Sequence, residues 1–160
     1  MADSNIRGGR ELSAFLSALP AKLEKNIMRS ALRAGAVVIR DEAKANVPVD
    51  QGLLQKSVRI SSGTKRGTVT GTVKAGGRMA PHAHLVEYGT RPHKIEPKDA
   101  DALAINGTPF RSVEHPGARP QPFMRPALDA KAPQAIEAIA AQIRKRLTAE
   151  GINVPAPEIV

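Results

Sequence analysis

Residues 12–54 read LSAFLSALPAKLEKNIMRSALRAGAVVIRDEAKANVPVDQGLL, and the apolar steps inside them decide the fold. Leu12, Phe15, Leu16, Leu19, Leu23, Ile27, Ala31, Ala34 and Val38 recur every three or four residues, the period of a helix with one buried face. Pro20 interrupts that stripe, so it either kinks one long helix or sits in the first turn of a second one. Pro48 forces the residue before it out of the α region and stops the run. The pattern predicts helix over 10–19 and 20–46, then a turn in P-V-D-Q-G-L-L at 48–54, followed by short alternating segments.

Downstream the pattern changes to short segments. Ser57–Ile60 and Thr68–Val73 are rich in β-branched residues and flank S-S-G-T-K-R-G, which reads as a turn cluster. They predict a hairpin with Lys65 and Arg66 at its tip. Ala83–Tyr88 reads as a third strand ended by Gly89. Within the Pro- and Gly-rich stretch 91–120, Asn106-Gly107 lies between the apolar runs 103–105 and 110–113, a strong hairpin signal. From Pro126 the chain reads as helix again, with Ile136, Ile139, Ala140, Ile143 and Leu147 as its stripe, Pro133 starting or kinking it, and Gly151 as its stop. Arg144, Lys145 and Arg146 suit its C-terminal end.

Helices, then strands, then a helix make an α+β plan. The expected architecture is an N-terminal helix or helix pair, an antiparallel β-meander with an inserted hairpin, and a C-terminal helix packed on the sheet. The expected organisation is a flexible arm at 1–9, one α+β domain at 10–148 with the insertion at 91–120, and a tail at 149–160.

Composition narrows the function. The 160 residues contain no cysteine, which removes disulfides, Cys-ligated zinc and a thiol nucleophile. Aromatics are 2 %, too few for a base-stacking platform. The longest apolar run, near 34–39, cannot span a bilayer, and the N-terminus lacks a basic-then-apolar export pattern. No Walker loop, G-x-S-x-G or H-E-x-x-H occurs. The expectation is therefore no enzyme, no cofactor, no small-molecule substrate and no membrane. His82 and His84 would share a strand face, with His93, His115 and Glu87 as further candidate ligands, but this spacing is not diagnostic of zinc and polar positions at strand ends explain it. Asp41 and Glu42 diverge on a helix and read as partners of Arg33 or Lys44.

The formal net charge is +9, and its placement is uneven. Residues 51–80 carry Lys56, Arg59, Lys65, Arg66, Lys74 and Arg78 and no acid, six of the nine excess charges. Such a segment either faces phosphate or acidic protein, or guards an edge strand and keeps the surface soluble.

Three stretches occur in order: VPVDQGLLQKSV at 47–58, HAHLVEYGT at 82–90 and HPGARPQPFMRPAL at 115–128. Asp50 can cap the first turn and Gly52 supply a positive φ. Gly89 ends the strand of the second stretch and turns the chain, and the prolines of the third hold it extended ahead of Phe123 and Met124, which offer bulk to the core. Together, with a long helix before and an Ala-rich helix after, they resemble the siphophage neck and tail-completion proteins named after gene product ten of a lambdoid phage. The matching positions are Pro48, Asp50, Gly52, Leu54, Ser57, Ala83, Val86, Glu87, Gly89, Thr90, Pro116, Gly117, Pro122, Phe123, Arg125, Pro126 and Ala127. Gln51, Gln55 and His82 depart from the pattern.

The resemblance implies a structural protein of a tailed-phage virion, a minor tail protein forming a ring, hexameric by preference, at the head–tail junction. Its partners would be the head stopper or connector, the tail terminator and the tail tube, with duplex DNA in the channel beside residues 51–80. It would be made in the host bacterial cytoplasm and end in the virion neck. A tail-terminator role in the same neck, or a basic non-specific nucleic-acid-binding accessory protein, are the alternatives.

Overall fold

The computed structural model describes residues 21–98 and 101–149. Its elements are α1 (Ala21–Asn46), α2 (Leu53–Ser57), β1 (Arg59–Lys65), β2 (Thr68–Lys74), α3 (Ala83–Tyr88), β3 (His93–Ile95), β4 (Leu103–Ile105), β5 (Thr108–Phe110), β6 (Val113–His115) and α4 (Met124–Ala149). The class is α+β, as expected. The readings for the arm at 1–9, the helix at 10–19, Gly151 and residues 150–160 lie outside the described residues; position 149 is the last of α4.

α1 and α4 run antiparallel, and their side chains give the register. Ser30 Oγ receives Gln142 Nε2 at 2.7 Å and Arg146 Nε at 3.3 Å, while Glu42 meets Lys131 at 3.6 Å. Glu42 thus pairs across the helices, and Asp41 pairs with Arg40 at 2.7 Å, not with Arg33 or Lys44 as the sequence alone predicts. Gly35 sets the closest approach: a Cβ there would stand 2.7 Å from the Ile139 side chain and 2.9 Å from the Ala135 carbonyl. Small residues are buried where helices come this near. So Gly35, Ala36 and Ala43 face inward, whereas the expected Ala34 and Val38 are only half-buried. Ile136 of the predicted α4 stripe is 47 % exposed, and Ala127 and Ala135 are buried instead.

Two core clusters lie at opposite ends of the helix pair. Ile27, Ala31, Ile143 and Leu147 form one. Ala43, Val47, Leu54, Val58, Ala80, Ala83, Phe123 and Ala127 form the other. Phe123 is 1 % exposed and the largest buried side chain, as its sequence context predicts. Burying it contributes about 2–3 kcal/mol. Pro126 is tolerated at the third position of α4, where backbone N–H groups have no partner in the helix, and Pro133 lies inside the helix.

The strands pair as three separate two-stranded ladders: β1–β2, β3–β6 and β4–β5. The hairpin at 59–74 is longer than predicted. Ser61–Lys65 continue β1, and only Arg66 and Gly67 make the turn, at φ 51 and 86. Two successive positive φ values match the right-handed twist of the strands. Asn106 and Gly107 do the same between β4 and β5, as their pairing predicts, at φ 50 and 81. This small hairpin does not join the β1–β2 ladder. Ile60, Val69, Val73 and Gly71 share the face turned to α1, where a Cβ on Gly71 would meet Leu32 at 3.2 Å. α4 packs chiefly on α1, and α1 is the element that covers the hairpin.

Two short segments differ from the sequence reading. Leu53–Ser57 is a helix, where the sequence reads Leu53 and Leu54 as part of a turn and Ser57 as the start of a strand. Ala83–Tyr88 is also a helix. Ala83, Val86 and Glu87 turn inward, which is i, i+3, i+4 spacing; six residues are too few to separate that from alternation.

Candidate functional site

The three sequence stretches meet at one end of the helix pair. α3 aims Glu87 at the start of α4, where its Oε2 accepts the N–H of Phe123 at 2.8 Å and of Met124 at 3.0 Å, and its Oε1 that of Arg125 at 3.2 Å. These are donors a helix cannot satisfy internally, and a carboxylate also suits the positive end of the dipole. Burial pushes the Glu87 carboxyl up, but the three backbone N–H bonds and the Arg125 charge outweigh it and hold it below the ordinary value.

Beside this clamp the second and third stretches lie antiparallel. Thr90 N–H donates to the Ala118 carbonyl at 2.9 Å, and Ala118 N–H reaches the Thr90 carbonyl at 3.2 Å and Thr90 Oγ1 at 2.8 Å. Gln121 N–H donates to the Val86 carbonyl at 2.8 Å. Gly89 (φ 71) and Gly117 (φ 84) line this seam, and a Cβ on either would collide with the opposite backbone. Gly89 therefore ends a helix, not a strand, and passes the chain straight into the seam.

The first stretch supplies the floor. Leu54 and Val58 enter the cluster around Phe123. Ser57, 3 % exposed, donates to the Leu54 carbonyl at 2.6 Å and accepts the Gly76 N–H at 2.9 Å. Gly52 has the predicted positive φ of 71 and itself caps α2, with no side-chain cap, so the capping role expected of Asp50 is not taken up. Pro48, Asp50, Pro116, Pro122, Arg125 and Pro126 are exposed. Val49, 64 % exposed, and Leu53, 41 % exposed, border a cleft of about 430 Å³ with Pro48, Asp50, Gln51, Gly52, Leu54, His82 and Val86.

The basic residues do not form one patch. By ladder register, Arg59, Ser61, Gly63 and Lys65 oppose Lys74, Thr72, Thr70 and Thr68 on the outer face, away from α1. Lys56, Arg59, Lys74 and Arg78 gather at the root, and Lys65 and Arg66 stand at the tip, about 20 Å away along seven-residue strands. Arg59 is tied into the root: its Nη1 donates to the Ser57 carbonyl at 3.1 Å and the Gly76 carbonyl at 2.9 Å. Sequence reasoning missed Arg29, whose Nη2 reaches Thr64 Oγ1 at 3.2 Å from α1; only the packing of α1 on the hairpin reveals it.

His82 precedes α3 and His84 lies within it, so they do not share a strand face. His93 and His115 are cross-strand partners with ring centroids 5.0 Å apart. Among the described residues no group of three or more His, Asp or Glu could hold a metal, and no helix is long and apolar enough to cross a membrane.

Among the described residues the site thus consists of backbone clamps, a basic hairpin whose outer face lies away from α1, and a surface cleft bordered by Val49 and Leu53. The family model described as "Bacteriophage HK97-gp10, putative tail-component" matches residues 10–89, half of the chain. The chain belongs to that HK97-gp10-like family, and so is a structural component of a phage tail, located in the virion. The match ends at Gly89, so the third stretch lies beyond it, joined to the matched part through Glu87 and the Val86 carbonyl. No curated protein and no solved structure matches the chain.

Proposed function

We propose that the protein is the subunit of a ring at the head–tail junction, which completes the tail, joins it to the filled head and lets DNA pass. Residues 10–148 act as one domain in this reading, and a hexamer fits the symmetry of a tail axis. The observation that carries it is the β1–β2 hairpin in a tail-component family: its outer face bears Arg59, Lys65 and Lys74, and the whole segment 51–80 holds no acid. A ring with rotational symmetry turns the same element of every subunit toward the axis, so one such hairpin per subunit lines a channel with cations. Lys65 and Arg66 at the tip then meet the DNA phosphates, without sequence preference, while the root cations meet acidic surfaces of neighbouring neck proteins.

Quantitative mass spectrometry of purified particles tests the reading. About six copies per particle are expected for a closed ring. Absence from the particle would replace it with the basic nucleic-acid-binding accessory protein. Loss of the gene separates the roles within the neck: filled heads beside finished, unjoined tails are expected, whereas tails of uncontrolled length would assign a terminator.

A further inference from the structure

A second cleft, of about 520 Å³, opens where α1, β2, α3 and α4 meet. Leu32, Ile39, Met124 and Ile139 give it apolar walls, and the exposed Tyr88 and Leu128 border it. Its charged residues are Glu87, Arg125 and Asp129. The Glu87 carboxylate is engaged by three backbone N–H groups at the start of α4. Arg125 and Asp129, both exposed and one turn apart on α4, are the charges left to meet a partner.

The same chain carries an uncovered apolar face. Beyond the Thr90–Ala118 seam, the β3–β6 ladder leads to the β4–β5 hairpin, whose strands pack chiefly on each other. Residues 102–110, ALAINGTPF, hold no charge. Leu103 and Phe110 are cross-strand partners and Ile105 lies two residues beyond Leu103, so the three share one face. Ile105 and Phe110 are exposed on it. A two-stranded hairpin this short is marginal in water by itself, and packing against another surface fixes it. Asp101 and Arg111, both exposed, bracket the uncharged tip.

We propose that the β4–β5 hairpin of one subunit docks, with Ile105 and Phe110 inward, into the Tyr88–Leu128 cleft of a second copy of this chain. Complementarity selects that occupant. An apolar face bracketed by one acid and one base meets an apolar cleft carrying one free base and one free acid, so Asp101 pairs with Arg125 and Arg111 with Asp129. The ion pairs among the described residues are Arg40–Asp41, Lys94–Glu96 and Lys131–Glu42, and none of these four takes part in them. Within one subunit no residue of the hairpin lines the cleft. Hairpin and cleft are different surfaces, so the contact is head-to-tail, and repetition closes a ring or extends a filament. The proposal rests on the ring reading and names its joint.

The absence of cysteine makes the test direct. Phage carrying the double variant Phe110→Cys/Leu128→Cys are oxidised and the particles run on a non-reducing gel. A ladder of disulfide-linked multimers is expected, lost in each single variant. Linkage within one chain alone, or no ladder here and in a second pair, Ile105→Cys/Tyr88→Cys, overturns the docking. A photo-crosslinker at position 110 that captures a different virion protein, and not this chain, overturns it too. Charge reversal is the independent arm: Arg111→Glu and Asp129→Lys should each lower the phage titre and together restore it, while thermal unfolding of the purified variants shows that each subunit still folds. Losses that simply add overturn the complementarity on which the choice of a second copy rests. Copy number in the same particles separates the two ideas: a count of about six without a ladder rejects this joint and keeps the ring, whereas absence from the particle rejects both.

Discussion

Glu87 and Phe123 are 36 residues apart, yet the Glu87 carboxylate accepts the Phe123 backbone N–H at 2.8 Å, and the same carboxylate takes the next two N–H groups of α4. One side chain on a six-residue helix thus starts a 26-residue helix and fixes the largest core side chain beside it.

Glu87→Ala should cost about 1–2 kcal/mol, the usual loss when a helix start loses its acceptor. Urea unfolding measures it, and Glu87→Gln, which keeps one acceptor oxygen, should fall in between. The sign with pH follows from the lowered folded-state pKa. The stabilisation is complete above the unfolded carboxylate value and fades as pH falls through the folded one. Stability of the parent and of Glu87→Gln should therefore converge as pH drops from above the ordinary carboxylate range through the lowered folded-state value. A gap that stays constant would show that the carboxylate charge contributes nothing.

Gly67 and Gly117 both have positive φ but differ in surroundings. Nothing lies within 4 Å of a Cβ built on Gly67, whereas one on Gly117 meets Thr90 and Arg91 backbone. Gly67→Ala should cost only the conformational penalty, about 1 kcal/mol. Gly117→Ala adds a backbone collision and should lower the melting temperature far more. Arg66→Asn, placing a residue that tolerates the left-handed region at φ 51, should raise stability slightly.

Gly35→Ala should destabilise the protein by about 1–3 kcal/mol, because the new methyl overpacks the helix contact. Much of the crowding comes from the Ile139 side chain, so Ile139→Val in the same chain should recover part of the loss. A double-mutant cycle reads that coupling; additive effects would place the clash on the Ala135 carbonyl alone.

The six cations should separate into two classes. Lys65→Glu with Arg66→Glu alters only exposed tip residues, so thermal unfolding should stay nearly unchanged while head–tail joining or DNA ejection fails. Arg59→Glu removes two hydrogen bonds to carbonyls at the hairpin root and should lower stability by about 1–2 kcal/mol. Particles that join and eject normally with the reversed tip would remove DNA from the proposed role of Lys65 and Arg66.

Several elements were legible from residue order alone. The 3.6-residue stripe with Ile27 and Ala31, the stop at Pro48, the turn at Asn106-Gly107 and the burial of Phe123 all depend on neighbours in the chain, and all are observed. The Arg66-Gly67 turn was blurred because Arg rarely takes the left-handed region, so the glycine pointed to a turn without its boundaries. α3 was misread because a six-residue segment gives periodicity no length to act on.

What the sequence determined by itself was the α+β class, the two long helices and the family, since propensity, period and motif order are local properties that survive without packing. What only the tertiary structure decided was which partners those residues take. Gly35 against Ile139, Ser30 against Gln142, Glu87 against the start of α4 and Arg59 against the Gly76 carbonyl are contacts between segments distant in sequence. No local signal encodes them, because each depends on how separate segments settle on one another: α4 on α1, α3 against the start of α4, and the chain that closes the root of the β1–β2 hairpin.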